Sequence, residues 1–136
     1  MIDTVPAFAY LSIRMAIILH ITTAAAWDAA RAAGSYQPAS LVDEGFIHCS
    51  TPAQAAGTAN RYFHGRTDLV LLCIDDARIA DLRYEPPVTS GAALDPRDRE
   101  RFPHVYGSLA LDAVIRVVAF PCDHDGGFRL PAAAGC

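Results

Sequence analysis

Residues 45–65, GFIHCSTPAQAAGTANRYFHG, contain the clearest structural boundary in the sequence. The apolar beginning of this stretch, which carries His48, predicts a β-strand. Thr51 then fits the N-cap of a helix, Pro52 fits its first position, and Gln54 completes a capping box. Three independent signals therefore start a helix directly after the strand.

A similar order precedes this stretch. MAIILHIT, residues Met15–Thr22, is β-branched and apolar, which predicts a strand, and the threonines at its end can cap a helix. The following AAAWDAARAAG is rich in helix formers and ends at Gly34, where a left-handed C-terminal cap would lie. Trp27 shares a face with Gly34, so we expect it in the core.

Further apolar runs predict the rest of the sheet. The predicted strands are Gly45–Ser50, Thr67–Asp75 buried on both faces, a buried strand around Val114–Phe120, and a short one in GGFRLP, residues 126–131. Residues 35–44 are predicted to form a loop, and residues 88–103 the longest loop. Early helices with late strands favour an α+β fold, with helices on one side of an antiparallel or mixed sheet.

Composition indicates a packed globular protein. The 136 residues are 52% apolar and 19% charged, which fits one domain and argues against disorder. We assign residues 1–14 to an N-terminal extension, 15–131 to the domain and 132–136 to a C-terminal tail. A net charge of -4, without a basic cluster beyond RDRER, gives little reason to expect a duplex nucleic-acid partner. The sequence leaves the oligomeric state open.

Cysteine use and hydropathy predict a cytoplasmic protein. Four cysteines show no CxxC spacing, and Cys49 and Cys73 fall in apolar, strand-like runs, so we expect buried thiols in a reducing compartment. Cys136 is predicted to react with thiol reagents first. The longest apolar run is too short to span a bilayer, and the N-terminus lacks a basic region of the signal-peptide kind, so no membrane partner is expected.

Three histidines have similar surroundings, each at the edge of a predicted strand. His20 lies in LHIT, His48 in FIHCS and His104 in FPHVYG. The first two precede Thr22 and Ser50 by two residues, just before a helix. If the strands are neighbours, both imidazoles meet two helix N-termini, whose free N–H groups and partial positive charge suit a phosphate or carboxylate. The sequence therefore predicts a cleft for a phosphorylated ligand.

These residues also fit a structural role, a metal site or a nucleophile. A single histidine in a strand is usually a hydrogen-bonded structural residue, and three histidines also raise a zinc site, but the short ligand spacing typical of such a site is lacking. We therefore expect no metal. Cys49 beside His48 suggests a nucleophile, but adjacent residues on a strand point to opposite faces, so Cys49 should face the core.

Several segments closely resemble one family. They are LHIT, AGSYQPASLVDEGFIHCST, LVLLCID, LRYE and FPHVYGSLALDAVIRV. The sequence is thereby identified, from about Met15 to Pro131, as a member of the small bacterial proteins grouped as domain-of-unknown-function family 952. That membership names no activity.

A more distant resemblance implies a function. The order is His-x-x-Thr on a first strand, Gly-x-x-His-x-Ser leading into a helix, and an apolar strand ending in Ile-Asp. This order is similar to the RNA 2'-phosphotransferase branch of the ADP-ribosyltransferase superfamily. It implies a split antiparallel or mixed sheet with two main helices, whose halves flank a cleft for NAD.

The same resemblance implies roles for individual residues. His20 would contact the adenosine ribose of NAD, with Thr22 beside it. His48 would stack on nicotinamide, and His104 or Tyr106 would lie where other members carry a glutamate that orients the nicotinamide ribose. The implied catalytic residues are His48, His104 and Tyr106, and the implied NAD-binding residues are His20, Thr22, Ser50 and Thr51.

The sequence also departs from the superfamily pattern. Neither His104 nor Tyr106 is a carboxylate, Glu85 in RYEPP lies at a different position, and the arginines that hold RNA phosphate have no counterparts. The leading interpretation is a domain that binds NAD or an ADP-ribose-type nucleotide, with ADP-ribosyl or glycosyl transfer or NAD-glycohydrolase activity. The alternatives are a binding module that has lost the chemistry, and a metal-dependent hydrolase using His20, His48 and His104.

Overall fold

The computed structural model of the protein describes residues 16–87 and 100–135. The predicted N-terminal extension, most of the predicted long loop and Cys136 lie outside the described residues. None of the helices within the described residues is long and apolar enough to cross a bilayer.

The described chain contains both α-helices and antiparallel strands, which confirms the predicted α+β class. The strands are β1 (Ile17–Thr23), β2 (Ser35–Tyr36), β3 (Ile47–His48), β4 (Leu69–Asp75), β5 (Leu82–Glu85), β6 (Phe102–Val105), β7 (Leu109–Ala110) and β8 (Val114–Ala119). The helices are α1 (Ala24–Ala33), α2 (Ala39–Asp43), α3 (Pro52–Tyr62) and α4 (Ala132–Gly135).

The two longer helices begin where the sequence predicts them. At α1, the Thr23 hydroxyl accepts a hydrogen bond from a backbone N–H of the first turn at 3.0 Å, and Gly34 ends the helix with φ 92°. At α3, the Gln54 side chain accepts a hydrogen bond from the Thr51 N–H at 3.0 Å, and the capping box is present. Local signals therefore fix both boundaries.

The described strands form three small sheets. The largest has the order β1-β4-β8, the second β3-β6-β5, and β2 pairs with β7, all antiparallel. A β-bridge joins the first two sheets, since the Leu19 N–H donates to the Ser50 carbonyl at 2.7 Å and the reverse bond is 2.8 Å. This bridge holds β3 beside β1.

Two apolar clusters cover the two faces of the largest sheet. Along β1, Ile18 belongs to one cluster and Leu19 to the other, as the alternation of a strand requires. Helix α1 covers the first cluster, where Trp27 is partly buried. Helix α3 covers the second through Ala55 and Ala59, both fully buried. Because those contacts are alanines, α3 can lie close to β1.

The predicted burial of β4 and of two cysteines is confirmed. All but one residue of β4 is buried, as expected for the middle strand of the sheet. Cys49 and Cys73 are 4% and 1% exposed. Burial raises the pKa of the Cys49 thiol to about 12, so this thiol stays protonated and unreactive at neutral pH.

The segment before α3 differs from the prediction. Residues 35–44 are not a loop, because β2 pairs with the distant β7 and α2 follows it. The strand predicted over Gly45–Ser50 is reduced to β3. Gly45 has φ 91°, which is outside the extended region, and Ser50 turns to bridge β1.

Two C-terminal predictions were also wrong. GGFRLP, residues 126–131, forms no strand, because the backbone of Phe128 bonds the Asn60 side chain, accepting at 3.1 Å and donating at 2.7 Å. The strand β8 lies at the edge of its sheet and is not buried. Its Ile115 and Val117 are 41% and 40% exposed.

Candidate functional site

A cross-strand pair of histidines forms the centre of the candidate site. Strands β3 and β6 pair with His48 directly opposite His104. Opposite residues in an antiparallel pair project from the same face, and the two ring centroids are 5.5 Å apart. Phe46 stacks on His104 at 4.2 Å and lies 4.8 Å from the ring of His48. The two imidazoles therefore share one aromatic surface.

The first imidazole is oriented by Glu44, at the end of α2. Its Nε2 lies 3.0 Å from each oxygen of the Glu44 carboxylate. A carboxylate can only accept, so Nε2 of His48 carries a proton. Nδ1 of His48 makes no hydrogen bond to another described residue. The side chain of His48 is 43% exposed, so this imidazole is open to a ligand.

The second imidazole is oriented by Glu85, on β5. Nδ1 of His104 donates to Oε1 of Glu85 at 2.8 Å, and the Tyr106 hydroxyl donates to the same oxygen at 2.7 Å. The hydrogen bond from Tyr106, which has the larger effect, and the one from His104 both lower the pKa of Glu85. Glu85 is therefore anionic at neutral pH. Nε2 of His104 has no hydrogen-bond partner within the described chain.

His20 connects this pair to the largest sheet. Its Nδ1 lies 2.6 Å from the His48 carbonyl oxygen, and because a carbonyl only accepts, Nδ1 carries the proton. Burial lowers the pKa of His20 to about 4, although the hydrogen bond to the His48 carbonyl acts in the opposite direction and raises it. The ring is therefore neutral, and its Nε2 accepts from the Tyr36 hydroxyl at 2.7 Å.

The Tyr36 hydroxyl completes this network. Burial raises the pKa of Tyr36, so the hydroxyl keeps its one proton, which is shared with His20. The Tyr36 oxygen also lies within hydrogen-bond distance of the Thr22 hydroxyl, at 2.9 Å. Both nitrogens of His20 are thus occupied by the protein, and the network joins β1, β2 and β3.

A cavity of about 660 Å³ lies between α3, β1 and the β3–β6 pair. This volume falls within the usual range of small-molecule sites, roughly 300–1,000 Å³. Aromatic, amide and charged side chains line it, among them His48, His104, Phe102, Glu44, Gln54 and Arg61. The cavity thus offers flat apolar surfaces together with groups of both charges.

Four of the predicted site residues meet at this cavity, namely His20, His48, His104 and Ser50. The other three do not line it. Thr22 bonds Tyr36, which lines the cavity, and Thr51 caps α3. Tyr106 bonds Glu85, which in turn bonds His104 at the cavity.

Sequence reasoning missed the partners of the histidines. The motifs do not single out Glu44, Phe46 or Tyr36, and Glu85 stands out only as a carboxylate at a different position from the superfamily glutamate. The four-residue spacing between Glu44 and His48 was an available signal, whereas the contact of Glu85 with His104 follows from the β5–β6 pairing.

The three-histidine metal site of the hydrolase alternative is not assembled in the described part of the chain. No group of three or more His, Cys, Asp or Glu side chains converges there on a position for a metal ion. His20 also has no nitrogen left to bind one.

The depressed pKa of His20 predicts a pH-dependent stability. An unfolded histidine binds its proton near pH 6.5 and the folded one near pH 4, so the unfolded state holds more protons between these values. The free energy of unfolding should therefore fall as the pH drops through this window, by about 3 kcal/mol for this residue. Urea unfolding should show this loss in the wild type and not in His20→Gln.

The control for this experiment is His124→Gln, which changes an exposed histidine. Its unfolding free energy should follow the wild-type pH dependence. Equal slopes for the wild type and His20→Gln between pH 6.5 and pH 4 would contradict the buried, neutral state of His20.

Comparisons with known proteins identify relatives of this chain. A crystal structure of protein CC0527 from Caulobacter crescentus is 34% identical, covers 88% of this chain and 99% of its own, and superposes with a TM-score of 0.73. A double mutant of CC0527 gives 33% identity with the same coverage and TM-score. The solution NMR structure of CC0527 is 35% identical, covers 84% of this chain and 92% of its own, and superposes with a TM-score of 0.69.

The family comparison agrees with the structural one. No curated protein matches this chain. The model of the family described as "Protein of unknown function (DUF952)" matches residues 21–117. This match spans most of the chain and contains both histidines of the cross-strand pair, so the chain belongs to the DUF952 family.

Proposed function

We propose that this domain binds a nucleotide of the NAD or ADP-ribose type in the cavity and acts on its N-glycosidic bond. One observation carries the proposal. Two imidazoles lie side by side on a cavity of suitable size, each with one nitrogen held by a glutamate and the other without a protein partner in the described chain. Such an arrangement favours ligand contact over a purely structural role.

The environments of the two histidines support different roles. The side chain of His104 is 3% exposed, whereas that of His48 is 43% exposed. A half-exposed ring beside Phe46 is suited to stack on a planar heterocycle such as nicotinamide. A buried ring with a fixed tautomer is suited to accept a hydrogen bond from a ribose hydroxyl.

The Glu85–His104 pair can support glycosidic cleavage. When nicotinamide leaves with the bonding electron pair, positive charge develops on the ribose. A ribose hydroxyl that donates to Nε2 of His104 becomes more electron-rich, and Glu85 stabilises the positive charge that the imidazole gains. Water or another nucleophile then forms the new bond to the ribose carbon and releases its proton to the solvent. In this proposal His20 positions His48 and does not contact the ligand.

A binding module without catalysis is the second candidate. The observation in its favour is that Oε1 of Glu85 already accepts bonds from His104 and Tyr106, so the carboxylate acts on a ligand only through the imidazole. Measuring binding and nicotinamide release separately distinguishes the two candidates.

For binding, His48→Ala should remove stacking on nicotinamide. Stacking of this kind contributes about 1 kcal/mol, so affinity for NAD should fall roughly fivefold, while affinity for ADP-ribose, which lacks that ring, should change little. Calorimetric titration measures both, with His124→Ala as the exposed control. The proposal is wrong if the wild-type protein binds neither ligand at millimolar concentration. The nicotinamide assignment alone is wrong if His48→Ala lowers the affinity for NAD and for ADP-ribose equally.

For catalysis, Glu85→Gln keeps the shape of the side chain and removes its charge. Nicotinamide release from NAD should slow by at least about tenfold, because removal of one positioned charged group typically costs that much or more. ADP-ribose affinity should change by less than about threefold. Binding of NAD by the wild type without nicotinamide release would instead support the binding module.

A further inference from the structure

One face of α3 forms a wall of the cavity. Gln54, Gly57, Thr58 and Arg61 all line it, and their three- and four-residue spacing places them on one side of the helix. The opposite side of α3 is buried against the largest sheet. The helix therefore separates the apolar core from the cavity.

Gly57 on this face is not explained by any contact among the described residues. A glycine inside a helix is less stable there than alanine. A Cβ added at Gly57 would meet nothing within 4 Å, and Gly57 is absent from the glycines with positive φ. Neither packing nor backbone conformation among the described residues requires glycine here. A ligand lying against the helix backbone would require it.

Arg61, one turn further along the helix, makes no hydrogen bond or ion pair with another described residue. Other arginines of the described chain do bond a carboxylate or a backbone carbonyl, including Arg31, Arg66, Arg78, Arg83, Arg116 and Arg129. Arg31 occupies the corresponding last turn of α1 and lies 3.7 Å from Asp28. Within the described ranges, the guanidinium of Arg61 is therefore left without a protein partner at the cavity.

The positions along α3 set the length of a ligand. Gln54 donates to the Arg101 carbonyl at 2.9 Å, next to the strand that carries His104. Arg61 lies two helical turns further, which is about 10 Å along the axis. That distance is comparable to a nucleoside. The histidines and the guanidinium therefore lie toward opposite ends of the wall.

We infer that Gly57 and Arg61 form an anion subsite, which binds a phosphate group of the ligand whose other end reaches His48 and His104. A guanidinium binds phosphate oxygens through paired, charge-assisted hydrogen bonds, and Gly57 lets the ligand lie against the helix. The inference rests on the proposed function for the identity of the far end of the ligand, but the anion subsite itself does not.

Calorimetric titration with three probes tests the subsite: ADP-ribose, adenosine and inorganic pyrophosphate. Arg61→Gln should weaken binding of ADP-ribose and pyrophosphate about tenfold and leave adenosine binding unchanged, because only the first two carry phosphate. Arg31→Gln, the matched change in α1, should leave all three affinities unchanged. Raising the salt concentration should weaken the binding of ADP-ribose more in the wild type than in Arg61→Gln.

Gly57→Ala gives a second, independent test. Alanine is the better helix former and meets no protein atom, so the Tm should rise by about 3 °C. The same change should weaken ADP-ribose binding about fivefold or more, because the methyl group occupies ligand space. A variant that is more stable and binds less well cannot be explained by misfolding. Unchanged binding would overturn the role of Gly57.

The outcomes separate this inference from the proposed function. If Arg61→Gln leaves ADP-ribose binding unchanged, the subsite is overturned and the proposed function stands. If Arg61→Gln lowers only the thermal stability, Arg61 instead stabilises α3 through its interaction with the helix dipole. Pyrophosphate binding that depends on Arg61, without any nucleotide binding, supports the subsite and overturns the proposed function. Absence of binding by all three probes overturns both.

Discussion

The pairing of His48 with His104 across β3 and β6 is the constraint on which the candidate site depends. Because side chains alternate along a strand, a shift of one residue would turn one imidazole to the other face. Strand β3 is too short to fix this register alone. The neighbouring contacts add to it: the Cys49 N–H donates to the Pro103 carbonyl at 3.0 Å, and His20 donates to the His48 carbonyl at 2.6 Å.

The polar network around His20 carries this constraint from the core to the cavity. A buried neutral imidazole with both nitrogens bonded links three strands that helices separate in the sequence. Losing one partner would leave a buried polar atom unsatisfied, which is costly. The glutamates then orient the paired rings from opposite sides, one on the exposed end of α2 and one on β5. Two histidines of the same kind thus face the cavity in unequal environments, which suits unequal roles.

Local signals made part of this structure predictable. The caps at Thr51 and Gln54, and at Thr23 and Gly34, act within one helical turn, so the sequence places α1 and α3 correctly. The two-residue β2 could not be found in this way, because it is stabilised by pairing with β7, which lies much later in the sequence. GGFRLP has a strand-like composition, but the Asn60 side chain bonds both the N–H and the carbonyl of Phe128. These backbone groups are therefore not free to pair with a neighbouring strand.

The site was predictable in its histidines and not in their partners. Sequence motifs singled out His20, His48 and His104, which all line the cavity. The tautomers of their rings depend on Tyr36, Glu44 and Glu85, and contacts with Tyr36 and Glu85 arise only from folding. The resemblance to ADP-ribosyltransferases implies a ligand contact for His20, whereas the proposed function uses its two hydrogen bonds within the protein to position His48.

The state of the His104 ring tests the central claim most directly. Long-range 1H–15N NMR of the imidazoles distinguishes a protonated from an unprotonated nitrogen. In the free protein the proton of His104 should be on Nδ1, and saturating ADP-ribose should shift the Nε2 resonance of His104 while that of His124 stays unchanged. A proton on Nε2 of His104 in the free protein, or a His104 resonance that ADP-ribose does not move, would contradict the assignment of this pair as a ligand site.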